Sequence, residues 1–203
     1  MLELLKAQLV DTAVKAERYG LCKHKSGNFS ALDRENGVIA ITPSGVSRDV
    51  LSQDDIFIAD LSGNIIEAGK TGAPSGELNM HLEAYKCRSD ITAVIHTHSP
   101  YATAFAAKGK AIMPIVVEAM IYGYTTKVIP YHAPYTKELA ESIKAPLQET
   151  DVCLLKNHGV LIVGDGLVQT LLKAVYVEDV ARIYLFTLQM GGAEPDHLKA
   201  PEI

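Results

Sequence analysis

The sequence predicts an α/β fold in which helices cover a central sheet of mostly antiparallel or mixed strands. Three observations lead to this prediction. Short β-rich runs separated by turn residues occur early in the chain, as they do in antiparallel hairpins. Later strand-like runs alternate with segments of helical periodicity. Hydrophobic residues make up 48% of the 203 residues, which is enough to form a sizeable core.

The first part of the chain predicts one helix followed by short strands. Leucine and alanine recur near one face of residues 1–19, which indicates an amphipathic helix. The turn Ser62-Gly63-Asn64 separates two β-rich runs and is typical of a hairpin. Together with two earlier runs, these give predicted strands over residues 29–32, 38–42, 56–60 and 65–67.

The rest of the chain alternates between helices and strands. Pro74 and Ser75 suit the start of a helix over residues 77–87, and Pro100 suits the start of another over 100–107. Further helices are predicted over residues 136–148 and 167–190. Strands are predicted over residues 93–98, 115–117, 127–129, 152–155 and 160–163. Because no repeat or linker divides the chain, we expect a single domain over residues 1–203.

Composition and charge exclude several kinds of partner. The net charge of −5 argues against a general nucleic-acid or anionic-membrane binder. No apolar stretch reaches the roughly 20 residues that span a bilayer, so we expect no membrane partner. Cys22, Cys87 and Cys153 are scattered and odd in number, which favours reduced thiols over disulfides or a cysteine zinc site. With no secretory cleavage pattern near the N-terminus, we expect a cytoplasmic protein.

Three histidines and one glutamate are candidate metal ligands. Side chains alternate along a strand, so His96 and His98 should point to the same side at the end of the strand over residues 93–98. His158 follows another strand-like run, and Glu77 precedes the histidine pair in Pro74-Ser75-Gly76-Glu77. Three neutral imidazoles and one carboxylate suit a divalent ion such as Zn²⁺. A lone histidine is more often a packing or surface residue, so the prediction depends on all four converging.

Three short glycine-containing segments are candidates for anion binding: Ser26-Gly27-Asn28, Thr42-Pro43-Ser44-Gly45 and Pro74-Ser75-Gly76. Each offers backbone N–H groups, hydroxyls or an amide, and the third opens a helix, whose N-terminus favours an anion. Together they could hold a phosphate with little net charge, although each alone is a common turn. The chain has no Walker or dinucleotide fingerprint and no Gly-x-Ser-x-Gly motif, so a serine hydrolase is not expected.

In this combination and order, the segments resemble the class II aldolase/adducin-head family, and within it the L-fuculose-1-phosphate aldolase type. The resemblance runs from about residue 5 to residue 190 and includes His96-Thr97-His98-Ser99-Pro100 and Asn157-His158-Gly159. It implies an α/β/α fold around a largely antiparallel sheet. It also implies a homotetramer with active sites at subunit interfaces, and a divalent metal that is usually Zn²⁺ and sometimes Mn²⁺ or Co²⁺.

The resemblance assigns roles to individual residues. His96, His98 and His158 match the three metal ligands, and Glu77 matches the carboxylate that approaches the metal and acts as acid/base. Gly76 stands where fuculose-type members commonly have a second serine, and it keeps the backbone N–H at that position. The other positions that match phosphate-holding residues are Asn28, Ser44, Gly45 and Ser75.

The implied reaction is metal-dependent cleavage of a ketose 1-phosphate to dihydroxyacetone phosphate and an aldehyde, through a metal-stabilised enediolate. The substrate would be of the fuculose, ribulose or 5-deoxyribulose 1-phosphate type. Glu118 stands where the fuculose enzyme has a catalytic tyrosine, and Tyr122 and Tyr124 lie nearby. One of these three is expected to protonate the aldehyde oxygen.

Three alternatives to this aldolase remain open from the sequence. A methylthioribulose-1-phosphate dehydratase of the same family has a glutamate near the position of Glu118. A ribulose-5-phosphate 4-epimerase typically has an aspartate where this chain has Glu77. An adducin-head-like module would be non-catalytic, but such modules have lost the metal ligands that are retained here.

Overall fold

A computed structural model describes residues 2–199, and its centre is one eight-stranded sheet. The strand order is β4-β3-β2-β1-β5-β8-β7-β6, and every neighbouring pair is antiparallel except β6 and β7, which are parallel. The strands are β1 (Asn28–Asp33), β2 (Val38–Ile41), β3 (Phe57–Asp60), β4 (Ile65–Glu67), β5 (Ala93–Thr97), β6 (Lys127–Ile129), β7 (Val152–Leu155) and β8 (Gly159–Gly164). The predicted α/β class with a mostly antiparallel, mixed sheet is confirmed.

Helices cover both faces of this sheet. They are α1 (Leu2–Arg18), α2 (Leu78–Cys87), α3 (Pro100–Lys108), α4 (Lys137–Ser142), α5 (Lys144–Leu147) and α6 (Leu167–Gln189), with 3₁₀ turns at Gln53–Asp55 and Val117–Tyr122. One core joins α1, α3 and α6 to sheet residues such as Ile95, and the other joins α2, α4 and α5 to residues such as Val94. Because consecutive strand residues face opposite sides, β5 supplies both cores. None of the helices in the described part of the chain is long and apolar enough to cross a membrane.

Two predicted elements differ from the structure. The strand predicted over residues 115–117 is wrong, because the N–H of Ile115 bonds to the carbonyl of Met113 in a local turn and a 3₁₀ helix begins at Val117. The helix predicted over residues 136–148 is divided into α4 and α5 at Ile143. Pro146 explains the division, since a proline inside a helix lacks the N–H and its ring crowds the carbonyl of the residue four positions earlier.

The sheet brings the candidate site residues together at one end of its central strands. β1 and β5 are neighbours, and their register places Asn28 opposite His96. On the other side of β5, Thr97 pairs with Val160 of β8. The end of β5, the start of β8 and the start of β1 therefore meet at the same end of adjacent strands, and α2 begins beside them at Glu77.

Candidate metal and anion site

The structure brings His96, His98 and His158 into one cluster. Their ring centroids are 4.7 to 5.1 Å apart, and their nearest ligand nitrogens all lie within 4.8 Å of one another. His96 and His98 come from the end of β5, and His158 comes from the turn between β7 and β8. Gly159 allows this approach, because a Cβ there would lie 2.3 Å from the carbonyl oxygen of Thr97.

The hydrogen bond of His96 fixes which of its nitrogens is available. Its Nδ1 lies 3.0 Å from the carbonyl oxygen of Val160 and must donate, so the lone pair is on Nε2. That Nε2 lies 2.9 Å from Nε2 of His98. Burial, with repulsion from the neighbouring imidazoles, lowers the pKa of His96 well below its usual range and that of His98 to about 4. Both rings are therefore neutral at pH 7, which is the form that binds metals.

Glu77 faces this cluster from the N-terminal end of α2. Its Oε2 lies 3.4 Å from Nε2 of His96, and its Oε1 lies 3.4 Å from Nε2 of His158. The side chain is only 4% exposed, and Oε1 has no hydrogen-bond partner among residues 2–199. A buried carboxylate oxygen without a partner is costly unless a cation neutralises it. Three imidazoles and this carboxylate are a donor set that fits a divalent ion.

An adjoining cleft is formed by the three glycine-containing segments. The isolated bridge between Pro43 and Pro74 holds the second and third segments side by side, and the N–H of Ser75 donates to the carbonyl of Thr42 at 3.2 Å. The hydroxyl of Ser75 also accepts from the N–H of Glu77 at 3.2 Å. The cleft is lined by the five predicted phosphate residues together with Glu77 and His98, namely Asn28, Ser44, Gly45, Ser75, Gly76, Glu77 and His98.

Sequence reasoning missed two other residues of this cleft, Lys25 and Tyr135. Lys25 is exposed at the rim and adds a positive charge beside the first segment. Tyr135 packs on Gly76, where an added Cβ would lie 2.6 Å from the tyrosine ring. The position of Lys25 beside Ser26 was a usable signal, whereas nothing in the sequence near Tyr135 indicates contact with Gly76.

Arg48 was also missed, and it holds the first segment from behind. Its guanidinium donates to the carbonyl oxygens of Ser26 at 3.3 Å, Gly27 at 2.7 Å and Val46 at 3.1 Å. The residue is 3% exposed, and burial lowers the pKa of the guanidinium. Arginine remains charged at pH 7 even so, because its ordinary pKa is above 12. The cleft therefore has a buried positive charge behind one wall.

The structure does not bring Glu118 or Tyr122 into the cleft formed by the same chain. Both lie on the 3₁₀ helix Val117–Tyr122. Tyr122 is completely buried in the core, and burial raises the pKa of its hydroxyl. Tyr122 does not line the cleft of its own chain, and its catalytic role stays a prediction. Glu118 is partly exposed, so its role stays a prediction that needs another chain to complete the cleft.

The mixed sheet between two helical layers, with the histidine cluster at one edge, is the architecture of a class II aldolase. The family described as Class II Aldolase and Adducin N-terminal domain matches residues 7–185, and the chain belongs to this family. It is 39% identical over 157 residues to an L-fuculose phosphate aldolase from Methanococcus maripaludis, covering 77% of this chain and 83% of the relative.

Two further relatives match over nearly the whole chain. A 5-deoxy-D-ribulose 1-phosphate aldolase from Bacillus thuringiensis is 33% identical over 203 residues, covering 100% of this chain and 93% of the relative. A solved L-fuculose 1-phosphate aldolase superposes with a TM-score of 0.91 at 33% identity, covering 96% of this chain and 90% of that one. The expected fold and family are therefore confirmed.

Proposed function

We propose that this protein is a metal-dependent aldolase that cleaves a ketose 1-phosphate into dihydroxyacetone phosphate and an aldehyde. One observation carries the proposal: Glu77 lies between the histidine cluster and the anion cleft and contacts both. A single carboxylate can therefore meet the carbonyl end of a substrate whose phosphate lies in the cleft. The names of the fuculose-phosphate and 5-deoxyribulose-phosphate relatives support this substrate class.

We propose His96, His98, His158 and Glu77 as the metal-holding residues, with Zn²⁺ as the ion. Mn²⁺ and Co²⁺ are alternatives, because geometry and ligand type do not separate them strongly for such a donor set. When bound, the ion would supply a Lewis acid for the ketose carbonyl. The protein's contribution is to hold neutral, oriented imidazoles close together before the ion arrives, as the bond from His96 to Val160 does.

The anion cleft would hold the substrate's phosphate and so fix the position of its reacting carbons. Hydroxyls of Ser44 and Ser75 and backbone groups of Gly45 and Gly76 are available there, beside the amide of Asn28. A phosphate bound away from the reacting carbons supplies binding energy that orients those carbons. The N-terminus of α2 and the charge of Lys25 favour the anion further.

Glu77 would move the proton at the carbon that becomes the end of dihydroxyacetone phosphate. In the cleavage direction the C3–C4 bond breaks, its electrons pass toward the carbonyl, and the hydroxyl proton on C4 is removed as the aldehyde forms. The C4 hydroxyl proton would pass to the group at the aldehyde oxygen, Glu118 or a tyrosine, and Glu77 in its protonated form would donate its proton to C3, so one proton leaves the substrate and one is added. The position of Glu77 suits this exchange, because its carboxylate lies beside both the histidine cluster and the anion cleft.

We propose a homotetramer with active sites at subunit interfaces, in which Glu118 of one chain reaches the cleft of another. Exposed apolar residues flank Glu118 on its 3₁₀ helix: Val117 is 65% exposed, Met120 52% and Ile121 44%. Such a cluster is typical of a surface covered in an oligomer. Light scattering of the purified protein tests the tetramer, and a Glu118→Gln variant with full activity would contradict the role of Glu118.

Two smaller predictions remain proposals. The single continuous sheet supports one domain over residues 1–203. The three free cysteines suit the expected cytoplasmic location.

The activity test compares several substrates with the purified, metal-loaded protein. L-fuculose, ribulose and 5-deoxyribulose 1-phosphates are each incubated, and dihydroxyacetone phosphate is measured by an NADH-linked assay. Release from at least one supports the aldolase, and release from none contradicts it. Methylthioribulose 1-phosphate giving a diketone would indicate the dehydratase, and interconversion of pentulose 5-phosphates the epimerase. Near-zero metal by elemental analysis after gentle purification would favour the non-catalytic adducin-like module.

A further inference from the structure

A buried chain of polar side chains lies behind Glu77. His81, on α2, is completely buried and makes two short side-chain contacts with residues of β1. Its Nε2 lies 2.6 Å from Oδ1 of Asn28, and its Nδ1 lies 2.6 Å from the hydroxyl of Ser30. The hydroxyl of Ser30 lies 2.8 Å from that of Tyr85. The proposed function gives none of His81, Ser30 or Tyr85 a role.

The contact between Asn28 and Glu77 sets the donor-to-acceptor direction of the hydrogen bonds in this row of polar side chains. The Nδ2 of Asn28 donates to Oε2 of Glu77 at 2.8 Å, because an ionised carboxylate can only accept. The Oδ1 of Asn28 therefore faces His81 and accepts from its Nε2. The ring of His81 is completely buried between an amide and a hydroxyl, neither of which balances a positive charge, so the ring is neutral and only one nitrogen carries a proton. That proton is on Nε2.

This tautomer of His81 determines the direction of the remaining hydrogen bonds, those of Ser30 and Tyr85. The Nδ1 of His81 has a lone pair, so the hydroxyl of Ser30 donates to it. The single proton of Ser30 is then used, and its oxygen accepts from the hydroxyl of Tyr85. Every donor in this row of side chains is thereby assigned, and the N–H of His81 is the one that reaches the amide of Asn28.

We propose that His81 is a positioning residue that fixes the amide of Asn28, so that this amide holds Glu77 and presents its second N–H to the anion cleft. The inference rests on the proposed function of Glu77 as acid/base. If the amide turned over, Oδ1 would face the carboxylate oxygen and the NH₂ group would face the N–H of His81. With the proton on Nε2 both contacts would be repulsive, so Glu77 and His81 together exclude the reversed orientation.

The tautomer can be tested directly in the wild-type protein. Two-bond ¹H–¹⁵N correlation spectra separate protonated from unprotonated ring nitrogens, and a His81→Gln variant identifies the signals of His81. The expected result at pH 7 is a neutral ring with the proton on Nε2. A proton on Nδ1, or a doubly protonated ring, would overturn the proposal.

A matched pair of variants tests the consequence for the site. His81→Gln keeps an N–H donor near the position of Nε2, whereas His81→Leu removes it at similar volume. We expect His81→Leu to lower kcat about 10–100-fold, as the loss of such orienting partners does elsewhere. It should also weaken the binding of inorganic phosphate measured by titration calorimetry. His81→Gln should restore most of both quantities.

A purely structural role for His81 would give a different result. Both variants would then lower stability, but kcat per folded molecule and phosphate affinity would match the wild type, which would overturn the proposal. Tyr85→Phe is the control, because Ser30 can still donate to His81 without it, so kcat should change less than about threefold. The tautomer and phosphate measurements need no turnover, so they remain decisive if the wild type releases no dihydroxyacetone phosphate.

Discussion

Replacing Gly159 with alanine adds only one methyl group, but it should disturb the histidine cluster strongly. The new Cβ would lie 2.3 Å from the carbonyl oxygen of Thr97 and 3.0 Å from ring atoms of both His96 and His98. Ordinary contacts of this kind are 3.4 to 4 Å, so β8 must move away from β5 by about 1 Å. The contact is with backbone and with two rings of the cluster, so no flexible side chain can relieve it.

The expected cost follows from these contacts. Overpacking of this kind costs about 1–3 kcal/mol, and weakening one strand hydrogen bond costs about 1 kcal/mol more. We therefore expect Gly159→Ala to lower the free energy of unfolding by about 2–4 kcal/mol in urea titrations. Because two rings of the cluster must also shift, Zn²⁺ affinity should fall at least about 10-fold in competition with a chromophoric chelator.

Gly164→Ala is the matched control at the other end of the same strand. A Cβ there would meet side-chain atoms of α6, Thr170 Oγ1 at 2.7 Å and Lys173 Nζ at 3.1 Å, far from the histidines. We expect this variant to lose less stability and to bind Zn²⁺ as the wild type does. If Gly159→Ala matched Gly164→Ala in both measurements, the close approach at Gly159 would not be what orders the cluster.

Three further predictions concern the contact between Glu178 of α6 and the N-terminus of α3, the pH dependence of stability, and the effect of metal on Tm. Glu178 is half-buried and accepts from the N–H groups of Tyr101 and Ala102 at 2.9 Å each, so Glu178→Gln should cost about 1–2 kcal/mol in urea titrations. An unchanged midpoint would contradict this. The lowered pKa of His81, about 3 against 6.5, means that the unfolded chain binds a proton that the folded chain does not. The metal-free protein should therefore lose up to about 1.4 kcal/mol per pH unit from this group as pH falls from 6.5 toward 3, and His81→Gln should show a smaller slope. Removing metal with a chelator should lower Tm, and adding Zn²⁺ should restore it, because a ligand at 100 times its Kd stabilises the folded state by about 2.7 kcal/mol. A Tm that changes with neither treatment would exclude a metal site in the native state.

Local rules explain which parts of the site could be predicted from the sequence. The strand period placed His96 and His98 on one side, and their Nε2 atoms do lie 2.9 Å apart. Alternation along a strand needs no knowledge of the rest of the chain. Spacing alone could not show that Glu77 and His158 join the pair, because their approach depends on the order of β5, β8 and β7 in the sheet. The order of motifs shared with the family supplied that information.

The misses share a different physical cause. The run over residues 115–117 has strand-forming residues, but strand propensity does not specify a pairing partner, and β6 takes the edge beside β7 instead. Tyr135 contacts Gly76 from a distant loop, and Arg48 reaches Ser26 and Gly27 across the chain. No local pattern records such contacts, because they arise only when separate elements pack.

The burial of Arg48 has a consequence for how the protein distinguishes small anions from polyanions. Its charge is enclosed behind the wall of the cleft and is screened less by salt than an exposed charge. The chain as a whole can therefore remain acidic, at a net charge of −5, while the cleft keeps a positive charge behind its wall. A ligand that enters between the loops comes nearest to this buried charge. How closely an anion can approach Arg48 therefore depends on whether it fits into the cleft.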